Sequence, residues 1–308
     1  MTGPVTGRTA RAGLVDAAAA AASTSRRAGI EIRPLETLEQ IDDACAVLRT
    51  VWGIGPGQDF DVSRHLLRAF GHGGNYQFGA YPQGEERPIG ASVCFFTEPL
   101  GAAMHSHITG VLPGTAGRGV GAALKWHQRQ WALERGLSRI SWTYDPLIAR
   151  NSFFNLTRLG ARPEAYFVDF YGLMDDGPNR GQPSDRLEIG WDLASASTLA
   201  AERAALLGDT GAVGPDVDAL IKAGGAVLLA VGPDGSPVTG GPAPTGETMI
   251  LLGIPTDIEQ VRREQPELAL AWRYELRAAL SLLMADSAWQ VTGFAKSGWY
   301  LLQRREPV

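Results

Sequence analysis

The spacing of hydrophobic residues alternates between helical and strand-like patterns from residue 29 onward. Between Thr37 and Trp52, Ile41, Ala44 and Leu48 recur on one helical face, which predicts an amphipathic helix. Short runs of β-branched and aromatic residues, bounded by Gly and Pro, predict strands. The predicted strands are 30–33, 75–81, 89–97, 103–111, 139–144, 165–171 and 186–193, and the predicted helices are 37–52, 61–70, 122–135 and 149–159. Their order along the chain is βααβββαβαββ.

Residues 196–308 continue a mixed pattern of helices and strands in which no chemical motif stands out. Its longest helical segment, 256–285, contains Pro266 and is therefore expected to form two helices. Residues 1–28 are rich in Ala, Thr, Gly and Arg and resemble a loose tail, with a marginal helix as the alternative. We therefore expect a disordered tail at 1–28, a first α/β domain at 29–195, and a C-terminal α/β domain at 196–308 that packs on the first and helps to wall its cleft.

Composition excludes several classes of protein. Of the 308 residues, 44% are hydrophobic and 20% are charged, which is typical of a packed globular chain. The net charge of −5 and the lack of a basic run argue against a nucleic-acid partner. Two cysteines, Cys45 and Cys94, are too few for a disulfide framework. No apolar run reaches membrane-spanning length. We expect a cytoplasmic protein with no metal site and no membrane segment.

The most informative segment is 105–121, where a strand breaks at Pro113, becomes glycine-rich and opens a helix. Such a loop directs several backbone N–H groups at one point beside the positive end of the helix. Glycine is needed there because a Cβ would keep a phosphate away from the backbone. The segment therefore predicts a phosphate or pyrophosphate site, against the alternative of a tight turn that binds nothing.

This segment resembles the Gcn5-related N-acetyltransferases (the GNAT superfamily), which have the same element order. Gly110-Val111-Leu112-Pro113 matches the family's strand-to-loop turn, and Gly119-Val120-Gly121 matches its phosphate loop. Ala116 replaces the usual Gln or Arg, and Arg118 stands beside the first glycine. The resemblance implies a mixed central sheet with a splayed strand, and acetyl-CoA or another acyl-CoA as co-substrate. The implied donor-binding residues are Thr109, Gly110, Val111, Gly117, Arg118, Gly119, Val120, Gly121, Ala122, Asn151 and Asn155.

Candidate bases lie on the strand before the loop. His105 and His107 alternate along it, so their side chains are expected to share one face. The pair resembles the histidines of the arylalkylamine N-acetyltransferases, which take the proton from the attacking amine. A histidine with an ordinary pKa near 6.5 suits that task. Asp145, at the end of the next strand, is expected to bind the ammonium, orient a histidine, or cap the helix after Pro146.

The family's usual proton donor is missing. In the resemblance, a tyrosine four residues before a closing glycine protonates the leaving thiolate, and here Leu156 stands four residues before Gly160. The replacements left open are Tyr166, Tyr171, a histidine, water, or departure of the thiolate without help.

Further matches run from Ser106 to Arg273 and resemble a bacterial subgroup of acetyltransferases. Some of its members accompany N-acylamino-acid racemases, which implies succinylation of amino acids as one activity. We expect an acyl-CoA-dependent N-acyltransferase that acts on a primary amine of an amino acid, small amine or peptide natural product by direct attack. The alternatives are a non-catalytic acyl-CoA-binding scaffold, or an enzyme that takes a longer acyl chain, succinyl-CoA or an acyl carrier protein. A homodimer is left open.

Overall fold

The computed structural model describes residues 7–55, 58, 60, 62–115, 117–172, 182–209, 214–241 and 246–305. Its contacts divide the chain into two compact units. The first comprises Met1–Trp142 and Asp192–Thr210, and the second comprises Thr143–Trp191 and Gly211–Val308. This division differs from the predicted domains 29–195 and 196–308, because residues 143–191 group with the C-terminal part. How the two predicted domains would pack stays a prediction.

The predicted order of elements is confirmed. In chain order the elements are α1 (Gly7–Ala28), β1 (Ile30–Pro34), α2 (Leu38–Trp52), α3 (Arg64–His72), β2 (Gln77–Pro82), β3 (Gly90–Thr97), β4 (Ala103–Val111), a 3-10 turn (Pro113–Thr115), α4 (Val120–Glu134), β5 (Arg139–Tyr144), α5 (Ala149–Ser152), a π-helical segment (Phe153–Arg158), β6 (Arg162–Phe167), β7 (Arg186–Asp192), α6 (Ala196–Leu207), α7 (Val217–Lys222), β8 (Ala226–Val231), β9 (Pro237–Thr239), β10 (Met249–Gly253), α8 (Ile258–Glu264), α9 (Pro266–Ala285), β11 (Trp289–Ala295) and β12 (Trp299–Arg304).

In the first unit the strands lie in the order β1-β2-β3-β4-β5. The first four are antiparallel, and β5 joins β4 in parallel. The sheet is therefore mixed, as expected. Helix α2 packs on one face: it begins at a capping box between Thr37 and Gln40 and buries Ile41, Ala44 and Leu48. Helix α4 packs with residues of the other core cluster, where Val120 and Leu124 are buried beside Ala80.

The expected disordered tail is wrong for residues 7–28, which form α1; residues 1–6 lie outside the described residues. Ala17, Ala20 and Ala21 are buried, and α1 contacts α4 and α6. Alanine has the highest helix propensity, and its short side chain allows helices to approach closely. The alanine run that suggested a loose tail is therefore a packing face.

The second unit contains the antiparallel pair β6–β7 and a five-stranded sheet in the order β11-β12-β10-β8-β9. The expected break in the long helix is confirmed, since α8 ends at Glu264 and α9 begins with Pro266 in its first turn. The predicted helix 149–159 is divided into α5 and the π-helical segment. No helix in the described ranges combines the length and hydropathy needed to span a bilayer.

The packing of α1 can be tested by placing a charge on its buried face. Ala20 is 0% exposed, whereas Val15 on the same helix is 64% exposed. Ala20→Glu should lower the free energy of unfolding by about 3 kcal/mol, because an unpaired carboxylate would be buried. Val15→Glu, the matched control, should change it by less than about 0.5 kcal/mol. Urea unfolding followed by circular dichroism measures both, and equal stabilities would show that α1 does not pack.

Candidate functional site

Strand β4 separates from β5 part-way along its length. It pairs with β3 from Ala103 to Val111, but with β5 only through Ala103–His105 and Arg139–Ser141. Beyond His105, this edge of β4 therefore has backbone groups that β5 does not use. Such an edge can accept an extended ligand as an additional strand. The splayed strand expected from the sequence is confirmed.

A β-bulge lies where the separation begins. Val93 is opposite Ile108 and Cys94 is opposite Ser106, so His107 is the extra residue on β4. The rings of His105 and His107 both contact Phe95, with centroid distances of 5.3 and 5.9 Å. The expectation that the two histidines share a face is therefore confirmed. Bulges re-aim side chains, and this one occurs at a predicted catalytic residue.

The two histidines differ in their surroundings. His105 Nδ1 is 3.1 Å from Ser141 Oγ. Burial, together with smaller contributions from the neighbouring His107 and Lys125, lowers the pKa of His105 to about 4. His105 is thus neutral near pH 7 and a weak base. The stronger candidate for accepting a proton from an ammonium group is His107, whose side chain is half-buried.

The glycine-rich loop has the backbone that the phosphate hypothesis requires. Gly117 and Gly119 have φ angles of 81° and 84°, in the left-handed region that favours glycine. Gly119 is the N-cap of α4, and no side chain caps this helix end. A Cβ on Gly119 would meet nothing within 4 Å, and one on Gly121 only Val111 Cγ2 at 4.0 Å. The start of α4 thus combines an end without a side-chain cap and free space beside the Cα atoms of two glycines, which is compatible with an anion site.

The other donor-binding candidates in this unit lie on or beside the loop. Arg118 is exposed, Val120 is buried, and Ala122 is half-buried. Ala116, the noted departure from the family pattern, lies outside the described residues. Thr109 Oγ1 is 2.7 Å from Ser92 Oγ. A Cβ on Gly110 would lie 2.7 Å from the Trp52 ring, so close packing of β4 against α2 is enough to explain this glycine.

A buried lysine lies behind the same strand, and the sequence analysis did not identify it. Lys125 Nζ donates to Ser106 Oγ at 2.8 Å and to Gln128 Oε1 at 3.2 Å, and it lies 4.0 Å from the centre of the Trp142 ring. Only 5% of the residue is exposed. Its signal in the sequence is weak, because a single lysine in a helix is usually solvent-exposed.

Asp145 belongs to the second unit, and its contacts do not favour catalysis. Its Oδ1 accepts a hydrogen bond from the Leu147 N–H at 2.9 Å, in the turn before α5. The N-cap of α5 itself is Ile148, so Asp145 does not cap that helix. Its Oδ2 accepts from Arg262 Nη2 at 2.5 Å and from Arg273 Nη2 at 2.7 Å. Burial alone would raise the pKa of Asp145, but Arg273 and Arg262 outweigh it and hold the pKa well below its ordinary range. Both arginines therefore already use the carboxylate that was expected to bind an ammonium group or to orient a histidine, and a catalytic role of Asp145 stays a prediction.

The remaining candidates are also in the second unit. Asn151 is half-buried on α5, and Asn155 is buried in the π-helical segment, where its carbonyl accepts from the Ala161 N–H at 3.1 Å. Their contact with an acyl donor stays a prediction. Leu156 is buried and has no proton to donate. Tyr166 donates to Asp185 Oδ2 at 2.6 Å; burial and this carboxylate raise its pKa far above the ordinary value, so it is a poor acid. Tyr171 is exposed.

Comparisons with known proteins give similarity at the level of structure only. No protein-family model matches the chain, and no curated protein is significantly similar to it. Among the similar solved structures is the ribosomal-protein-S18-alanine N-acetyltransferase of Escherichia coli, with 15% identity, a TM-score of 0.43 and coverage of 54% of this chain and 96% of the other. Acetyltransferases of the GNAT family are among them. One, from Elizabethkingia anophelis with acetyl-CoA bound, has 12% identity, a TM-score of 0.37 and coverage of 53% and 98%. An IAA acetyltransferase from Bacillus cereus has 17% identity, a TM-score of 0.41 and coverage of 53% and 99%.

The structural role of Asp145 gives a stability prediction. Asp145→Asn should lower the free energy of unfolding by about 3–5 kcal/mol, because the buried guanidinium of Arg273 would lose the carboxylate with which it forms an ion pair. Since the pKa of Asp145 is lower in the folded state, its stabilisation is complete above the unfolded pKa of about 4 and is lost as the pH falls below it. Urea unfolding between pH 3 and 7 measures this. The exposed Glu267→Gln is the control, and an equally small change in both variants would contradict the assignment.

Proposed function

We propose that the protein is an acyl-CoA-dependent N-acyltransferase in which a primary amine attacks the thioester directly. The observation that supports this is the course of β4, which leaves β5 after His105, carries the bulge at His107, and runs on to the glycine-rich loop and the start of α4, which no side chain caps. Val111 lies four residues after His107, a distance of about 13 Å along a strand. An extended donor with its pyrophosphate on the loop would therefore bring its reactive end to the histidines.

The residues of this unit supply the chemistry that the reaction needs. The backbone N–H groups at Gly119–Ala122 would hold the pyrophosphate, with Gly117 shaping the loop and the exposed Arg118 adding charge. Backbone groups at Thr109–Val111 would pair with the arm of the donor. His107 would accept the proton of the attacking amine, and the neutral His105 would orient the site through Phe95. The acceptor would be an amino acid, a small amine or a peptide amine.

A catalytic function is distinguished from a scaffold by turnover. Release of free thiol, measured with a panel of amines against acetyl-CoA, succinyl-CoA, longer acyl-CoA esters and acyl carrier protein, should identify a donor and an acceptor class. Binding of CoA without thiol release from any pair would favour the scaffold alternative. Transfer from an acyl carrier protein alone would assign the donor to that carrier.

The phosphate site can be tested at Gly121. Gly121→Glu should weaken CoA binding by at least about 100-fold, because a carboxylate would occupy the anion's place at the end of α4. Gly121→Gln has a similar size without the charge and should weaken binding less. Isothermal titration calorimetry measures both, and thermal unfolding checks that both variants fold. Unchanged affinity in a folded Gly121→Glu protein would show that the phosphate is not bound there.

The base can be tested by separating turnover from donor binding. His107→Ala should lower kcat by roughly 100-fold and leave donor affinity within about threefold, because only the proton transfer is lost. His105→Ala should lower kcat less, since the pKa of His105 is already about 4. Steady-state kinetics with the best amine measures both. The opposite order of effects would move the role of base to His105.

A further inference from the structure

Lys125 is buried, and none of its described neighbours offsets the cost of desolvating its ammonium group with an ion pair. Its partners are the neutral groups Ser106, Gln128 and Trp142, and among the described residues no carboxylate forms an ion pair with it. Lysine is almost never buried without an anionic partner, because desolvation of the ammonium group is costly. In the same helix Arg129 is also buried, but it is paired with Glu202. The chain thus keeps an uncompensated cation at one internal position.

That position is the point where β4 and β5 separate. The last pair between these strands is His105–Ser141, and the next residues are Ser106 on β4 and Trp142 on β5. Lys125 Nζ contacts both of these residues. Lys125 also lies five residues after Val120, about 7.5 Å along α4 from the proposed phosphate site. Lys125 is therefore a residue of the helix that would bind the donor, and its side chain contacts β4 and β5 at the point where these strands separate.

We propose that Lys125 is the proton donor for the leaving thiolate of the acyl donor, a role that Leu156 cannot fill. This inference rests on the proposed function. The amine nitrogen bonds to the thioester carbonyl carbon, and the carbon–sulfur bond breaks with its electron pair moving to sulfur. A Lys125 N–H proton passes to the sulfur, giving the thiol and a neutral lysine. His107 takes the proton lost by the amine, and exchange of protons with water restores both residues.

The contacts of Lys125 leave one of its protons available. An ammonium group has three N–H donors, and two of them are hydrogen-bonded to Ser106 and Gln128. The third faces the Trp142 ring, an interaction that is weaker than a hydrogen bond to an anion. A sulfur that gains charge at the split would attract that proton in a nearly dry environment.

The acidity of Lys125 supports the role. Burial lowers its pKa to about 8, close to the ordinary thiol value of about 8.5. The titratable groups that interact electrostatically with it are Cys94 on β3 and His105 on β4. Burial raises the pKa of Cys94 to about 12, and His105 has a pKa of about 4. Neither of these two groups changes charge near pH 8, so neither of them titrates together with Lys125.

The experiment follows the thiol of bound CoA. In the wild-type complex, thiolate absorbance near the ultraviolet cut-off should titrate at a lower pH than in free CoA. In Lys125→Met the bound thiol should titrate about one pH unit or more higher than in the wild type, while CoA affinity stays within about fivefold. The kcat should fall by roughly 100-fold. Lys222→Met changes an exposed lysine and should leave every value unchanged.

The pH profile of the unmodified protein provides a test that does not depend on a variant folding. Protonated Lys125 is the active form, so kcat should fall as the pH rises through about 8. Lys125→Arg keeps the positive charge, so the bound thiol should have the same low pKa as in the wild type. The fall of kcat near pH 8 should be absent in this variant, because arginine does not lose its proton there. If CoA binds normally but the thiol titrates identically in wild type and Lys125→Met, the inference is overturned while the proposed function stands. If wild-type protein does not bind CoA, the proposed function fails first.

Discussion

The separation of β4 from β5 after a few residues is the constraint on which the candidate site depends. If β5 followed β4 to Val111, the backbone groups beyond His105 would be hydrogen-bonded within the sheet, and no ligand could use them. The bulge at His107 occurs where this separation begins and increases the local twist of the strand. At the same point the ammonium group of Lys125 contacts both Ser106 on β4 and the ring of Trp142 on β5.

Two cationic side chains are buried in α4, and only one of them forms an ion pair among the described residues. Arg129 pairs with Glu202 and donates to the Leu193 carbonyl, and these contacts attach α6 to α4. They explain why residues 192–210 group with the first unit and not with the C-terminal part. Lys125, one turn earlier on α4, has only neutral partners. Groups that are buried and have a shifted pKa, as Lys125 has, cluster at functional sites.

In the second unit, buried ion pairs connect distant parts of the chain. Asp145 pairs with Arg262 and Arg273, and Asp185 accepts two hydrogen bonds from Arg277 and one from Tyr166. Tyr300 adds hydrogen bonds to Ser152 and to the Pro146 carbonyl. Removing one partner from such a group leaves the other charge buried, so residues 143–191 depend on residues that come after 211. A chain cut at 195 would leave both aspartates without their arginines.

The sequence by itself determined the order of the elements, the glycine loop and the pair of histidines. These features rest on local physics: residue periodicity, the capping of α2, and the need for glycine at left-handed positions such as Gly119. Only the tertiary structure decided the burial and the contacts of Asp145, Lys125 and the alanines of α1. Asp145 looked like a catalytic carboxylate because its partners, Arg262 and Arg273, lie more than one hundred residues away. The burial of Lys125 and of Ala17–Ala21 has no signal in the sequence, because it depends on which distant elements pack against these residues, and a local pattern does not contain that information.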